Sequence, residues 1–101
     1  MGTPADEITV VEAIKQLRAL GFGGDFSVVE GGRVRCHACG TEHDPSELTV
    51  EQVVRVEGMS DPDDEAAVFG LACRCGTRGI LVVPYGPGAS TDEATVLTHL
   101  A

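Results

Sequence analysis

The sequence contains no apolar run long enough to cross a membrane, since a helical span needs about 20 consecutive apolar residues. Its first seven residues carry two acidic side chains, Asp6 and Glu7, and no basic one, and they lack the apolar core of a secretory signal. Only 7 Lys and Arg stand against 16 Asp and Glu, for a formal net charge of -9. That charge disfavours binding to nucleic acid or to an anionic membrane. We therefore expect a cytoplasmic protein with no membrane partner.

The sequence also lacks the common catalytic motifs. It has no G-x-S-x-G, no phosphate-binding glycine loop and no H-E-x-x-H. The three histidines, His37, His43 and His99, form no recognisable set with a nucleophile. A non-catalytic role is therefore favoured.

A hydrophobic share of 43% is sufficient for a core, and the length fits one small domain over residues 1–101. We expect the core over 8–86 and a tail over 87–101. Apolar residues at helical spacing predict a helix over Ile8–Leu20 and a short second helix over Ser90–Leu100. Both begin with the Ser/Thr-x-x-Glu pattern of a capping box.

Segments in which apolar and polar residues alternate, or in which all residues are apolar, predict the strands of a sheet. They are Phe26–Val29, Arg33–Arg35, Leu48–Glu57, Ala66–Ala72 and Ile80–Val83. The first two flank the Gly31-Gly32 turn of a hairpin. The third is expected to bury one face, formed by Leu48, Val50, Val54 and Val56. The predicted fold class is α+β, with a small antiparallel sheet of about four or five strands and a helix near each end.

Two closely spaced cysteine pairs give the strongest chemical signal. Cys36 and Cys39 precede Gly40, and Cys73 and Cys75 precede Gly76. Four thiolates suit the tetrahedral coordination of Zn²⁺, and a glycine after each pair permits a tight turn. We predict a zinc-ribbon-like site in which these four cysteines bind one Zn²⁺. Such a site is closed to water and substrate, so its role is structural.

Several alternatives stay open at this point. The second pair is C-x-C, a tighter spacing than the usual C-x-x-C, so His37 or His43 is a spare ligand. A C-x-x-C pair can also be a redox dithiol, and free thiols can simply be buried. Four arginines flank the pairs: Arg33, Arg35, Arg74 and Arg78. They would offset the charge of about -2 on a Zn²⁺ with four thiolates, or would bind nucleic acid.

An acidic segment over 58–65 is expected to be a solvated loop. Its carboxylates make it the alternative site of a metal-dependent enzyme, because Mg²⁺ and Ca²⁺ prefer oxygen ligands. It lacks the ligand spacing of an EF-hand.

One resemblance rests on a set of short segments: Gly21-Phe22, Asp25-Phe26, Val56–Asp64, Gly79–Val82 and Tyr85-Gly86. These resemble small uncharacterised bacterial proteins that genomes often label phosphoribosylpyrophosphate synthetase. The activity in that label is not expected here, because the chain is too short and shows no nucleotide site. The cysteine pairs are often missing in those proteins. The resemblance therefore implies that the acidic loop, and not the metal, is the shared functional surface.

The sequence as a whole predicts a small zinc-binding protein that acts as a protein-interaction module. We expect protein partners and a monomer or weak oligomer.

Overall fold

A computed structural model describes residues 9–56, 66–84 and 90–100. The elements in chain order are helix α1 (Val10–Ala19), strands β1 (Gly24–Val29), β2 (Arg33–Cys36) and β3 (Glu42–His43), a short 3-10 helix (Pro45–Glu47), strands β4 (Thr49–Val56), β5 (Ala66–Ala72) and β6 (Arg78–Pro84), and helix α2 (Thr91–Leu100). The predicted acidic loop over 58–65 lies outside the described residues. No described helix is long and apolar enough to span a membrane.

Both predicted helices form, and both capping boxes are confirmed. At α1 the Thr9 hydroxyl accepts a hydrogen bond from the Glu12 N–H at 3.1 Å, and the Glu12 carboxylate accepts from the Thr9 N–H at 3.3 Å. At α2 the same reciprocal pair joins Ser90 and Glu93, at 3.1 and 2.9 Å. These bonds satisfy backbone N–H groups that have no partner inside the first helical turn.

The α+β class is confirmed, and the sheet differs from the expected one in two respects. It has six strands, in the order β3-β2-β1-β6-β5-β4, and it is mixed because β1 and β6 run parallel. The strand that the sequence did not reveal is β3, whose two residues are too few to show any alternation. The parallel pair joins segments far apart in the chain, which no local pattern indicates.

The parallel pair is short and depends on two glycines. Its register joins Gly24 to Gly79 and Asp25 to Ile80. A Cβ atom on Gly79 would lie 2.6 Å from the carbonyl carbon of Gly24, and one on Gly24 would lie 2.6 Å from the Thr77 methyl group. Only residues without a side chain let the two backbones approach this closely.

The helices cover opposite faces of the sheet, and each face has its own apolar cluster. The α1-side cluster contains the buried residues Ala13, Leu17, Phe22, Val56, Val68 and Ile80. The α2-side cluster is larger and contains Phe26, Val34, Cys36, Leu48, Ala67, Phe69, Leu71, Cys73, Leu81, Val83, Val96 and Leu100. Two of the four cysteines are therefore part of a hydrophobic core.

The prediction that the segment Leu48–Glu57, which forms β4, buries a single face is wrong. Val50 pairs with Leu71 and Gln52 pairs with Gly70, which leaves Glu51 without a partner in a β-bulge. An extra residue inverts the alternation beyond it. Residues before the bulge, Leu48 and Val50, therefore pack in the α2-side cluster, whereas residues after it, Val54 and Val56, pack in the α1-side cluster.

Candidate metal centre

Two hairpin turns bring the four cysteines together at one end of the sheet. The turn between β2 and β3 carries Cys36 and Cys39, and the turn between β5 and β6 carries Cys73 and Cys75. Both turns lie where β1 begins, because Cys36 pairs with Phe26 and the start of β6 pairs with the start of β1. Each hairpin thus carries one cysteine pair, and the two pairs meet where a metal ion could bind.

The four sulfur atoms lie within 4.8 Å of one another. The Sγ atoms of Cys36 and Cys75 are 3.9 Å apart. A tetrahedral ion with Zn–S bonds of about 2.3 Å places its sulfurs about 3.8 Å apart. The cluster could therefore bind one metal ion with only small side-chain movements.

Each turn closes on a glycine in the left-handed conformation. The N–H of Gly40 donates to the carbonyl of Cys36 at 2.8 Å, and the N–H of Gly76 donates to the carbonyl of Cys73 at 2.9 Å. The φ angles of Gly40 and Gly76 are 72° and 96°. The second turn closes over one residue fewer than the first. Because the second turn is shorter, both sulfurs of its C-x-C pair can point towards the sulfurs of the first pair.

Burial divides the four thiols into two kinds. Cys36 and Cys73 are buried, and Cys39 and Cys75 are exposed. Burial raises the pKa of Cys36, and it raises the pKa of Cys73 to about 12. In the metal-free protein the two buried groups are therefore neutral thiols at neutral pH.

Hydrogen bonds act in the opposite direction on the exposed pair. A hydrogen bond with the His43 side chain, followed by one from the Thr41 backbone N–H, lowers the pKa of Cys39 to about 5. The Thr77 side chain, whose Oγ1 lies 3.3 Å from the sulfur, and then its backbone N–H lower the pKa of Cys75. These donors stabilise the thiolate form that a metal requires.

Of the two spare histidines, only His43 lies beside the sulfurs. Its Nε2 atom is 3.4 Å from Cys73 Sγ and 3.7 Å from Cys39 Sγ. On its other side, Nδ1 lies 3.2 Å from Oε1 of Glu47. The bond with Cys39 is the main cause that raises the pKa of His43, and burial opposes it. Glu47 was not predicted from the sequence, where its position four residues after His43 is the one local signal for it.

The second spare histidine, His37, is engaged elsewhere. Its Nε2 atom lies 2.7 Å from the Ser27 hydroxyl, and its backbone N–H donates to the Asp25 carbonyl at 3.1 Å. These bonds hold the turn against β1.

The arginines near the cysteine pairs do not form one free basic surface. Arg78 contacts the Glu51 carboxylate at 2.6 Å, and its guanidinium carbon lies 4.5 Å from the centre of the Phe22 ring. Arg33 donates to the Glu42 carbonyl at 3.2 Å. The other two flanking arginines are exposed. Half of the set is thus engaged in contacts within the protein.

The connection from Cys39 through His43 to Glu47 also resembles a nucleophile, a base and an orienting carboxylate. Three further thiols lie within 4.8 Å of the Cys39 sulfur, however. A nucleophile does not need them, whereas a thiolate-bound metal does. The arrangement therefore fits a metal ion that the thiolates could hold better than it fits a nucleophile.

Comparisons with protein-family models, with curated proteins and with solved structures yield no match to this chain.

Proposed function

We propose that Cys36, Cys39, Cys73 and Cys75 bind one Zn²⁺ ion and that this ion has a structural role. The observation that carries the proposal is the convergence of four sulfur atoms from two hairpins within 4.8 Å. Zn²⁺ matches a set of four thiolates, and its preferred tetrahedron matches their spacing.

The structural role follows from what the ion would connect. Within the described part of the sheet, strand pairing between β1–β3 and β4–β6 consists of two residue pairs, Gly24 with Gly79 and Asp25 with Ile80. The metal would add a second link at the same end of the sheet, between the β2–β3 and β5–β6 turns. Four thiolates also fill the coordination sphere, which leaves no position for a substrate.

We further propose that the domain is a cytoplasmic protein-interaction module, as a monomer or a weak oligomer. Two observations support protein over nucleic acid as the partner. The formal charge of -9 repels polyanions, and two of the four arginines beside the metal site are already engaged. Thiols kept reduced for metal binding are typical of the cytoplasm.

Native mass spectrometry tests the metal assignment. We expect one Zn per chain, loss of the ion on chelation, and loss of metal in the Cys73→Ser/Cys75→Ser double variant. Metal retained in that variant would contradict the four-thiolate site, and a different metal at one per chain would contradict zinc.

An affinity pull-down with mass spectrometry tests the interaction role. The metal-loaded protein and the double cysteine variant serve as matched baits. We expect a protein captured by the first and not by the second. Recovery of nucleic acid with a steep salt dependence, lost when Arg74 and Arg78 are changed to Glu, would contradict the proposed partner class.

A further inference from the structure

A fifth donor atom, Nε2 of His43, lies beside the four sulfurs. It is 3.7 Å from the Cys39 sulfur and 3.4 Å from the Cys73 sulfur. A sulfur and a nitrogen bound to one tetrahedral zinc ion, with bonds of about 2.3 and 2.05 Å, lie about 3.6 Å apart. The imidazole nitrogen therefore stands at about the spacing of a co-ligand from Cys73 and directly beside Cys39.

The Glu47 carboxylate orients this imidazole. Its Oε1 atom lies 3.2 Å from His43 Nδ1, and the His43 side chain is only 12% exposed. Glu47 is itself placed by the 3-10 helix, whose N-cap Asp44 accepts hydrogen bonds from the backbone and hydroxyl of Ser46. Histidines that bind metals usually donate the second ring N–H to a carboxylate, which directs the other nitrogen at the ion. His43 has this arrangement.

Cys39 is the thiolate that His43 is best placed to replace. Cys36 and Cys73 are buried in the α2-side cluster, and the exposed Cys75 lies on the other hairpin. Cys39 is exposed and lies on the same hairpin as His43. Without Cys39, the remaining donors are three thiolates and one imidazole. That Cys₃His set is a common structural zinc site.

We propose that His43 is an alternative ligand of the metal centre and takes the position of Cys39 when that thiolate leaves the ion. The inference rests on the proposed four-thiolate site. It gives the centre five donors for four positions. The protein then keeps its metal while the Cys39 thiolate is released to solvent.

The test uses Co²⁺ alone as the probe, since its absorption reports thiolate number and tetrahedral geometry. His43→Ala is made in the unaltered chain and in a Cys39→Ala chain, and His37→Ala is the matched histidine control. Affinities are measured by chelator competition. The ¹⁵N shifts of the His43 ring in the Zn²⁺-loaded Cys39→Ala chain identify a bound imidazole.

We expect Cys39→Ala to bind one Co²⁺ tetrahedrally, with about three quarters of the thiolate charge-transfer intensity. Adding His43→Ala to the Cys39→Ala chain should lower the Co²⁺ affinity by about a further 100-fold, because the imidazole ligand is lost. In the unaltered chain His43→Ala should cost about tenfold or less, because it removes only the hydrogen bond that stabilises the Cys39 thiolate. In the Cys39→Ala chain His37→Ala should cost less than about threefold.

Three results would overturn the proposal. The first is a Cys39→Ala chain that fails to bind the metal or to fold with it. The second is a His43→Ala change that lowers the metal affinity by the same factor in both chains. The third is a loss of affinity in the Cys39→Ala chain on His37→Ala and not on His43→Ala. A failure of the zinc site itself looks different, because the unaltered chain then shows no stoichiometric metal with four-thiolate absorption.

Discussion

The Glu51 carboxylate accepts two hydrogen bonds from the Arg78 guanidinium, at 3.0 Å from Nε and 2.6 Å from Nη2. Glu51 is the residue of the β4 bulge that has no partner on β5. The bulge thus directs its extra side chain across β5 to β6. There the guanidinium also covers the ring of Phe22, the largest side chain in the α1-side cluster.

Arg78→Ala should destabilise the domain more than Glu51→Ala does. The arginine change removes the ion pair, the contact with Phe22 and the packing of the arginine stem, for about 1–2 kcal/mol. The glutamate change removes only a half-exposed ion pair, worth at most about 1 kcal/mol. Urea unfolding measures both, with the exposed Arg35→Ala as control. Equal losses for Arg78 and Glu51 would show that the Phe22 contact contributes nothing.

Deletion of Glu51 should cost little more than its substitution by Ala. Without the bulge residue, β4 is a regular strand that still places Leu48 and Val50 on one face and Val54 and Val56 on the other. Deletion of both Glu51 and Gln52, in contrast, would put all four on one face, and exposing two such side chains costs about 3–6 kcal/mol. Circular dichroism during urea unfolding compares the two variants. A single deletion as damaging as the double deletion would contradict the face switch.

Gly79→Ala should separate the two parts of the sheet. The new methyl group would lie 2.6 Å from the Gly24 carbonyl carbon, a backbone atom that cannot rotate away. We expect a loss of about 3 kcal/mol in the free energy of unfolding. Gly23→Ala is the matched control, because a Cβ there meets nothing within 4 Å. Similar stabilities for the two variants would argue against the close approach of β1 and β6.

Metal removal should lower the thermal stability strongly. An ion at a free concentration of about a thousand times its dissociation constant adds about 4 kcal/mol. In a domain of this size that amounts to at least about 15 °C in Tm. Differential scanning calorimetry with and without chelator measures the shift. In the Cys73→Ser/Cys75→Ser variant the chelator should leave the Tm unchanged. An unchanged Tm when metal is removed from the unaltered chain would refute the structural role.

Metal binding should release protons from the buried thiols. With raised pKa values, Cys36 and Cys73 are protonated at pH 7, whereas Cys39, with a pKa of about 5, is already a thiolate. We expect at least two protons released per ion at pH 7, one from each buried thiol. As the pH falls towards 5, Cys39 gains a proton too, so the release grows and the affinity falls. Calorimetry in buffers of different ionisation enthalpy counts the protons, and no release at pH 7 would contradict these pKa shifts.

Local signals in the sequence predicted much of this structure. The capping residues at Thr9 and Ser90 and the hairpin around Gly31-Gly32 each depend on a few adjacent residues. The four cysteines were found for the same reason, since each pair and its glycine form one turn. Such features are readable because the interacting groups are neighbours in the chain.

The remaining features depend on partners that are distant in sequence. The bulge at Glu51 exists only relative to β5, so the valines of β4 looked like one face. The pairing of Gly24 with Gly79 joins residues more than half the chain apart. His43 appeared only as a spare ligand, because its distance to Cys73 depends on how the two hairpins meet.

The brief parallel pairing of β1 with β6 also has a kinetic consequence. Strands β4, β5 and β6 follow one another in the chain and pair antiparallel, so they close short loops and should form early. Strand β1 must then dock on them across a long loop, through two residue pairs. The four sulfurs converge only after that docking. Tight metal capture would therefore mark the last step of folding and lock a chain that has already found its topology.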